Sequence, residues 1–394
     1  MLRMQAVYGL CSLKASAAEV PVRVRRGVLS LWTVMALGFI GLASFLVLDV
    51  WLISGLLQHA RNCCESSAAA AAYKWVSDDL LRQSWQQFEV DGRQAECTAA
   101  AVEQADWYSE RTPLPALNAD DVEYIWSQSE DATDEAGFPI PTAIRVRHST
   151  ADARVYRRAG SLLNLAPVTT AASARLENRP VAFRPAPGQT LPMLPFSICD
   201  DPNLSGAGWW TSQVEQGGGA DQVAWNPEMR IFEQGPDGIP EIVVELTTEP
   251  SGKPQELVLL DFNAGDSTSV RPLNRQIQEG LRSSDLESLG MRELTFPGDF
   301  PSLIPTLEGL GEVEEELADG RAEPALLMLC SRLSSSGFSL QRPVAVRVVD
   351  AVRPDSETLQ LTFQPCVLVT GMAVTATDDA TPSNRYVYSI RLAD

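Results

Sequence analysis

The chain has 394 residues, 45% of them apolar, enough for one large domain or two or three ordinary ones with real cores, and it is not a disordered tail. Its 51 acidic residues outweigh 31 basic ones, giving a formal charge of −20. That charge repels polyphosphate and argues against a nucleic-acid partner held by phosphate neutralisation.

In chain order, residues 1–27 form a short segment whose charges include Arg3, Lys14, Arg23, Arg25 and Arg26. From Val28 to Leu48 no charge occurs. About 20 apolar residues rising 1.5 Å each span a hydrocarbon core of roughly 30 Å. The first basic residues beyond the run are Arg61 and Lys74. This asymmetry predicts a single-pass anchor in the cytoplasmic (inner) membrane, with the N-terminus in the cytoplasm and the remaining chain extracytoplasmic. Two alternatives compete with an anchor. A cleaved signal peptide carries an apolar region of only about 7–15 residues. A buried helix of a soluble protein needs an amphipathic stripe or polar punctuation, which this run lacks until Asp49.

From Asp49 to Leu81 there is no proline and helix formers abound, so one transmembrane and juxtamembrane helix is expected over 28–76. Val50, Leu52, Ile53, Leu56 and Leu57 keep helical spacing, a stripe suited to a neighbouring helix or to the chain's own ectodomain. Asp49 reads as the point where water begins. A carboxylate costs little there but about 2.5–3.5 kcal/mol at the midplane, where it would need a partner.

Two extracytoplasmic modules are expected after the helix, an α+β one over 77–190 and a β-rich one over 191–394, divided within the proline-rich stretch 180–195. Alternation predicts strands around Leu359, Leu361 and Phe363 and around Tyr386, Tyr388 and Ile390. Residues 241–247, 256–262 and 343–352 are rich in the β-branched types that suit a pleated sheet. Helices are expected over Ser77 to Phe88, Asn274 to Leu281 and Leu310 to Leu317, with Gly280 and Gly320 as stops. The fold class is therefore α+β: a long N-terminal transmembrane helix extending out of the membrane, then a β-rich region with a few short helices.

Seven cysteines occur, none with the two-residue gap of a zinc or thioredoxin-like motif. Six follow the anchor: Cys63, Cys64, Cys97, Cys199, Cys330 and Cys366. In an oxidising compartment they are candidate disulfide cysteines, with a connectivity that spacing does not reveal; buried thiols are the competing reading. The only histidines, His59 and His148, fit no ligand or nucleophile spacing, and His148 shares a strand face with Ile144 and Val146. Neither a G-x-S-x-G elbow, a P-loop nor a G-x-G-x-x-G loop is present. Asp201 to Gly206 copies the first half of a calcium loop, but the twelfth position is Ser212 instead of a bidentate glutamate, so the stretch reads as a turn. Gly235 to Gly238 reads as a turn into the strand at 241. No catalytic residue, cofactor, metal or small-molecule substrate is assigned, and the chain is not expected to be an enzyme.

The N-terminal region resembles the TadE/TadG-like family of tight-adherence (Flp-type) pilus assembly. Its signature has a basic pair and glycine before the membrane helix, an aspartate after it, and a closing Leu-Gln-polar-Ala stretch with an alanine-rich end. The matching residues are Arg25, Arg26 and Gly27, then Asp49, then Leu57, Gln58 and Ala60, then Ala68 to Ala72. Asn62 stands where the family usually has aspartate. Trp32 stands where processed pilins and TadE-like pseudopilins carry glutamate, so the resemblance is to an uncleaved, TadG-like anchor. Later blocks, among them 142–149, 180–198, 273–290 and 344–352, resemble the ectodomains of larger TadG-like proteins. The resemblance implies a structural or assembly component of such a pilus or a related surface system, whose partners are the membrane and other pilus-assembly or envelope proteins.

A second reading, from the residues alone, is a membrane-tethered envelope carbohydrate-binding protein or hydrolase. It rests on Trp209, Trp210 and Trp225, which stand among glycine-rich loops where aromatic rings can stack on sugars.

Overall fold

The computed structural model describes residues 26–82, 86–112, 114–126, 139–149, 168–201, 209–247, 256–262, 270–300, 302–303, 313–317, 323–334, 337–376 and 381–393. The chain divides into two compact units between Ser54 and Gly55. One helix, α1 (Arg26–Trp75), runs for 50 residues through that point.

In the first unit, large apolar side chains from Leu31 to Leu52 are exposed, including Trp32, Phe39, Phe45 and Trp51. A helix this apolar all round suits a hydrocarbon solvent. It is the one described helix long and apolar enough to cross a membrane.

In the second unit α1 changes character. Leu56, Ala60, Cys63, Cys64, Ser67, Ala68, Ala71, Ala72 and Trp75 are buried, at the three- and four-residue steps that put them on one face. The alanine run thus lines a contact surface, and Trp75 closes it against Tyr124 and Trp126, with ring centroids at 5.5 and 5.7 Å. The helix expected over Ser77 to Phe88 is absent as such. A 3-10 turn occupies Asp78–Leu81, and α2 covers Gln87–Ser109, opened by a reciprocal cap between Gln86 and Glu89. The buried face of α2 consists of Val90, Cys97, Ala101 and Ala105. Residues so small leave little apolar periodicity, which is why the pattern missed this helix.

Twenty strands follow among the described residues. The first ten are β1 (Val122–Ile125), β2 (Ala143–Ser149), β3 (Thr169–Glu177), β4 (Pro180–Phe183), β5 (Thr190–Leu191), β6 (Met193–Cys199), β7 (Val223–Asn226), β8 (Ile231–Gln234), β9 (Ile242–Thr247) and β10 (Leu257–Leu260). After helix α3 (Val270–Glu279) come β11 (Leu281–Arg282) and helix α4 (Ser283–Ser288). The chain ends with β12 (Leu294–Thr295), β13 (Gly298–Phe300), β14 (Ser302–Leu303), β15 (Ala325–Ser334), β16 (Gly337–Val352), β17 (Thr358–Pro365), β18 (Leu368–Val369), β19 (Ala373–Thr375) and β20 (Val387–Ala393).

The largest sheet has the order β14-β10-β6-β15-β16-β17-β9, with β13 also paired to β16. Its ladders are antiparallel except β6 with β15. Every residue of β6 and β10 is buried, as expected of strands covered on both faces. A second sheet runs β1-β2-β3-β20-β18, and a third β12-β4-β19. The strands expected at 241–247, 256–262, 343–352, 359–364 and 386–391 fall on β9, β10, β16, β17 and β20.

Strand pairing crosses the division expected near residue 190. β20, at the far end of the chain, completes the sheet begun by β1 to β3, and β4 pairs with β12 and β19. Proline-rich composition marks a connection, but ladder hydrogen bonds decide which strands share a core. Gly280 stops α3 as expected: its φ is +84° and its N–H reaches the Gln276 carbonyl at 2.9 Å. Residues 313–317 are helical within the third expected helix, and Gly320 lies outside the described residues.

Candidate functional site

Arg25 lies outside the described residues, whereas Arg26 and Gly27 begin α1. Asp49 is half-exposed on the apolar stretch. Gln58 is exposed, and its amide donates to Asn62 Oδ1 at 2.8 Å, one helical turn on. His59 is exposed as well. Ser44 returns its hydroxyl to the Ile40 carbonyl at 2.8 Å, so this polar group is satisfied within the helix and the segment needs no water there.

In the second unit, two polar knots hold the sheets together. The first centres on Asp78 in the 3-10 turn. One of its carboxylate oxygens accepts from Arg347 of β16 at 2.5 Å, the other from the Val367 N–H at 2.7 Å. The Arg347 guanidinium also lies 4.6 Å from the centre of the Trp225 ring, which stacks edge-on with Phe232. Asp79 beside it takes Arg82 at 2.8 Å and Arg93 of α2.

The second knot joins the end of β6 to β16 and β20. Thr211 donates its N–H and its hydroxyl to Asp200, at 3.1 and 2.9 Å. Arg342 sits 2.7 Å from Glu215 and 4.0 Å from Asp200. The Trp210 indole N–H donates to the Tyr386 hydroxyl at 3.1 Å, and that hydroxyl contacts Glu215 at 3.4 Å. Burial pushes the Tyr386 phenol upward, which keeps it a neutral donor. Each carboxylate in this knot has donors around it, an arrangement that fixes geometry.

The loop from Ala220 to Glu241 is held by carboxylates serving as backbone acceptors. Asp221 takes the N–H groups of Asp237 and Gly238, both at 2.9 Å, within the expected 235–238 turn. Glu241 takes those of Gln222 and Val223 at 2.8 and 3.1 Å. Burial raises the acids of Asp237 and Glu241 above the usual carboxylate range. Among the described residues no three His, Cys, Asp or Glu side chains form a cluster able to hold a metal ion. Of the calcium-like stretch only Asp201 is described, and it is buried.

His148 is buried on the face shared with Ile144 and Val146, and its Nε2 lies 2.9 Å from the Pro115 carbonyl. Trp210 is wholly buried, so it cannot stack on a sugar; burial follows from its partnership with Tyr386, which the local glycine-rich sequence does not reveal. Trp209 donates to the Val243 carbonyl at 3.3 Å, and Trp225 is half-buried under Arg347.

All six candidate cysteines are buried, and none of them is joined in a disulfide. Cys64 lies 3.7 Å from the Thr170 carbonyl and hydroxyl. Cys97 is pushed up to about 12 by burial within α2, and burial also raises Cys366 beside Arg347 and Asp78. Cys330 and Cys199 are direct partners on β15 and β6.

The residues that sequence reasoning missed are those of the two knots: Asp78, Arg347, Asp200, Glu215, Arg342 and Tyr386. Their partners stand up to 289 positions away, so no local spacing reports them. Comparison of the chain with family models, with curated proteins and with solved structures finds no match.

Proposed function

We propose that the chain is a membrane-anchored structural or assembly component of a tight-adherence (Flp-type) pilus or a related envelope system. In this reading residues 28–57 sit in the cytoplasmic membrane, the N-terminus is cytoplasmic, and the β-rich unit is extracytoplasmic and non-catalytic. The observation that carries it is the uncovered apolar helix from Leu31 to Leu52, preceded by arginines and followed on the same helix by a face that is buried. The pilus itself enters through the resemblance carried by Arg25, Arg26, Gly27, Asp49, Gln58 and the alanine run. The dense cross-linking of the second unit by Asp78 and Arg347 suits a rigid subunit that transmits load between partners.

The test has two arms. External protease on spheroplasts is expected to degrade the β-rich unit while a cytoplasmic reporter survives; a protected unit refutes the topology. Deletion of the coding sequence is expected to abolish piliation and surface adhesion, and normal piliation refutes the assembly role. The carbohydrate-binding alternative retains only Trp209 and Trp225 as stacking surfaces, and it predicts retention of the purified protein on envelope polysaccharide, lost in Trp209→Ala.

A further inference from the structure

Six buried thiols sit in the second unit. Cys63 and Cys64 are consecutive on α1, beside Ser67 and Thr170 respectively, Cys97 lies near Arg93, Glu96 and Lys74, and Cys366 lies near Arg347 and Asp78. Cys199 and Cys330 differ. They are register partners in the parallel β6 and β15 ladder, one step beyond Ile198 and Leu329, and their thiols share a side-chain hydrogen bond. Direct partners on adjacent strands project to the same face. Strands spaced by about 4.8 Å bring Cα atoms within the 4.4–6.8 Å range that a disulfide requires.

The backbone around the pair is held from both sides. The Cys199 N–H donates to the Glu256 carbonyl and the Asp200 N–H to the Cys330 carbonyl, both at 2.8 Å. Two residues earlier, the buried Ser197 hydroxyl donates to the Met328 carbonyl at 2.7 Å, a second tie across the same two strands. Closure therefore needs rotation about the side-chain bonds and little movement of the sheet.

We infer that Cys199 and Cys330 are a matched pair that closes to a disulfide, locking the parallel strands β6 and β15 at the centre of the large sheet. The inference rests on the extracytoplasmic placement proposed above, because only an oxidising compartment supplies the acceptor. That acceptor is a protein or small-molecule disulfide. One cysteine loses its proton and attacks a sulfur of the acceptor, releasing one acceptor thiol and leaving a mixed disulfide. The second cysteine, as thiolate, then attacks the mixed disulfide at the first cysteine's sulfur. The Cys199–Cys330 bond forms, the second acceptor sulfur leaves as a thiol, and in all two electrons and two protons have passed to the acceptor, now reduced to two thiols. Both sulfurs are buried, so closure occurs while the sheet is still assembling. The bond encloses a loop of roughly 130 residues, a length at which a cross-link strongly restricts the unfolded chain.

The full-length protein is taken from cells with free thiols blocked by N-ethylmaleimide at lysis, digested without reductant and mapped by mass spectrometry. A peptide pair joining Cys199 to Cys330 is expected, with Cys63, Cys64, Cys97 and Cys366 alkylated. Reductant is expected to lower the melting midpoint by roughly 5 °C in the parent and to leave the double variant Cys199→Ala/Cys330→Ala unmoved. Location is read separately, by labelling exposed Ser356→Cys in intact spheroplasts with a membrane-impermeant maleimide. If Ser356→Cys is labelled while Cys199 and Cys330 are both alkylated, the pairing is wrong. If Ser356→Cys is not labelled, the topology is wrong, and the pair is then judged on detergent-purified full chain reoxidised with glutathione disulfide. A Cys199–Cys330 link formed there upholds the pairing, and its absence overturns it.

Discussion

The Asp78 carboxylate and the Arg347 guanidinium meet at 2.5 Å across 269 positions of sequence, with the Arg347 side chain only 9% exposed. A charge withdrawn from water to this degree is tolerated because its partner is present. The pair thus ties the turn that follows the long helix to the middle of the longest strand.

Arg347→Leu strands the Asp78 carboxylate and removes the cation over Trp225, so it is expected to cost about 3–5 kcal/mol. The double variant Asp78→Leu/Arg347→Leu should recover part of that loss, since no unpaired charge remains buried. Urea unfolding of the detergent-solubilised chain reads both. A double variant as unstable as the single one would mean that packing, and not the ion pair, dominates here.

Gly280 carries φ +84°, and a Cβ built on it would stand 2.1 Å from the Leu191 carbonyl oxygen. Gly280→Ala is therefore expected to cost more than about 2 kcal/mol, through left-handed backbone strain and a backbone clash that neither strand can relieve alone. Gly371→Ala is the control, with open space around its Cβ and no positive φ, and should stay within about 0.5 kcal/mol of the parent.

Burial pushes the Tyr124 phenol up to about 12 from its ordinary 10.0, and its hydroxyl donates to the Gln94 carbonyl at 2.9 Å. The unfolded chain releases this proton first, so above pH 10 alkali favours unfolding. The stabilising share of Tyr124 is complete below pH 10 and declines as pH rises toward 12. Tyr124→Phe should be less stable than the parent at neutral pH and show a shallower loss of stability over that window, measured by denaturation at a series of pH values.

Within the first unit, Leu42 is 60% exposed near the middle of the uncharged run. Leu42→Arg places a charge where the bilayer centre would be, an insertion cost of about 2.5–3.5 kcal/mol or more. The variant is expected to shift from the membrane pellet to the carbonate-extractable fraction, whereas Leu42→Ile should remain in the pellet. Equal retention of both would mean that the helix is held by protein instead of lipid.

The second unit shows where one-dimensional patterns carry and where they stop. β17 alternates Leu359, Leu361 and Phe363 inward, and these three are fully buried, because period-two patterning and one-sided burial are the same constraint seen twice. For α2 the pattern was silent. Its face of Val90, Cys97, Ala101 and Ala105 packs closely because those residues are small, so tight helix contact and weak hydrophobic periodicity arise from one cause. Trp210 misled in the opposite direction: neighbouring glycines suggested an exposed loop, whereas a partner 176 positions away encloses the ring.

What the sequence alone determined is the long helix with its uncharged run, the stop at Gly280 and the strands with alternating or β-branched runs, since each is set by bonds and solvent contacts within a few residues. Only the tertiary structure decided that β20 completes the sheet of β1 to β3, that Asp78 answers Arg347, and that Cys199 faces Cys330. Those relationships depend on which strands share a ladder, and pairing between distant segments is chosen by the packing of the whole core, for which no short window of residues carries a signal.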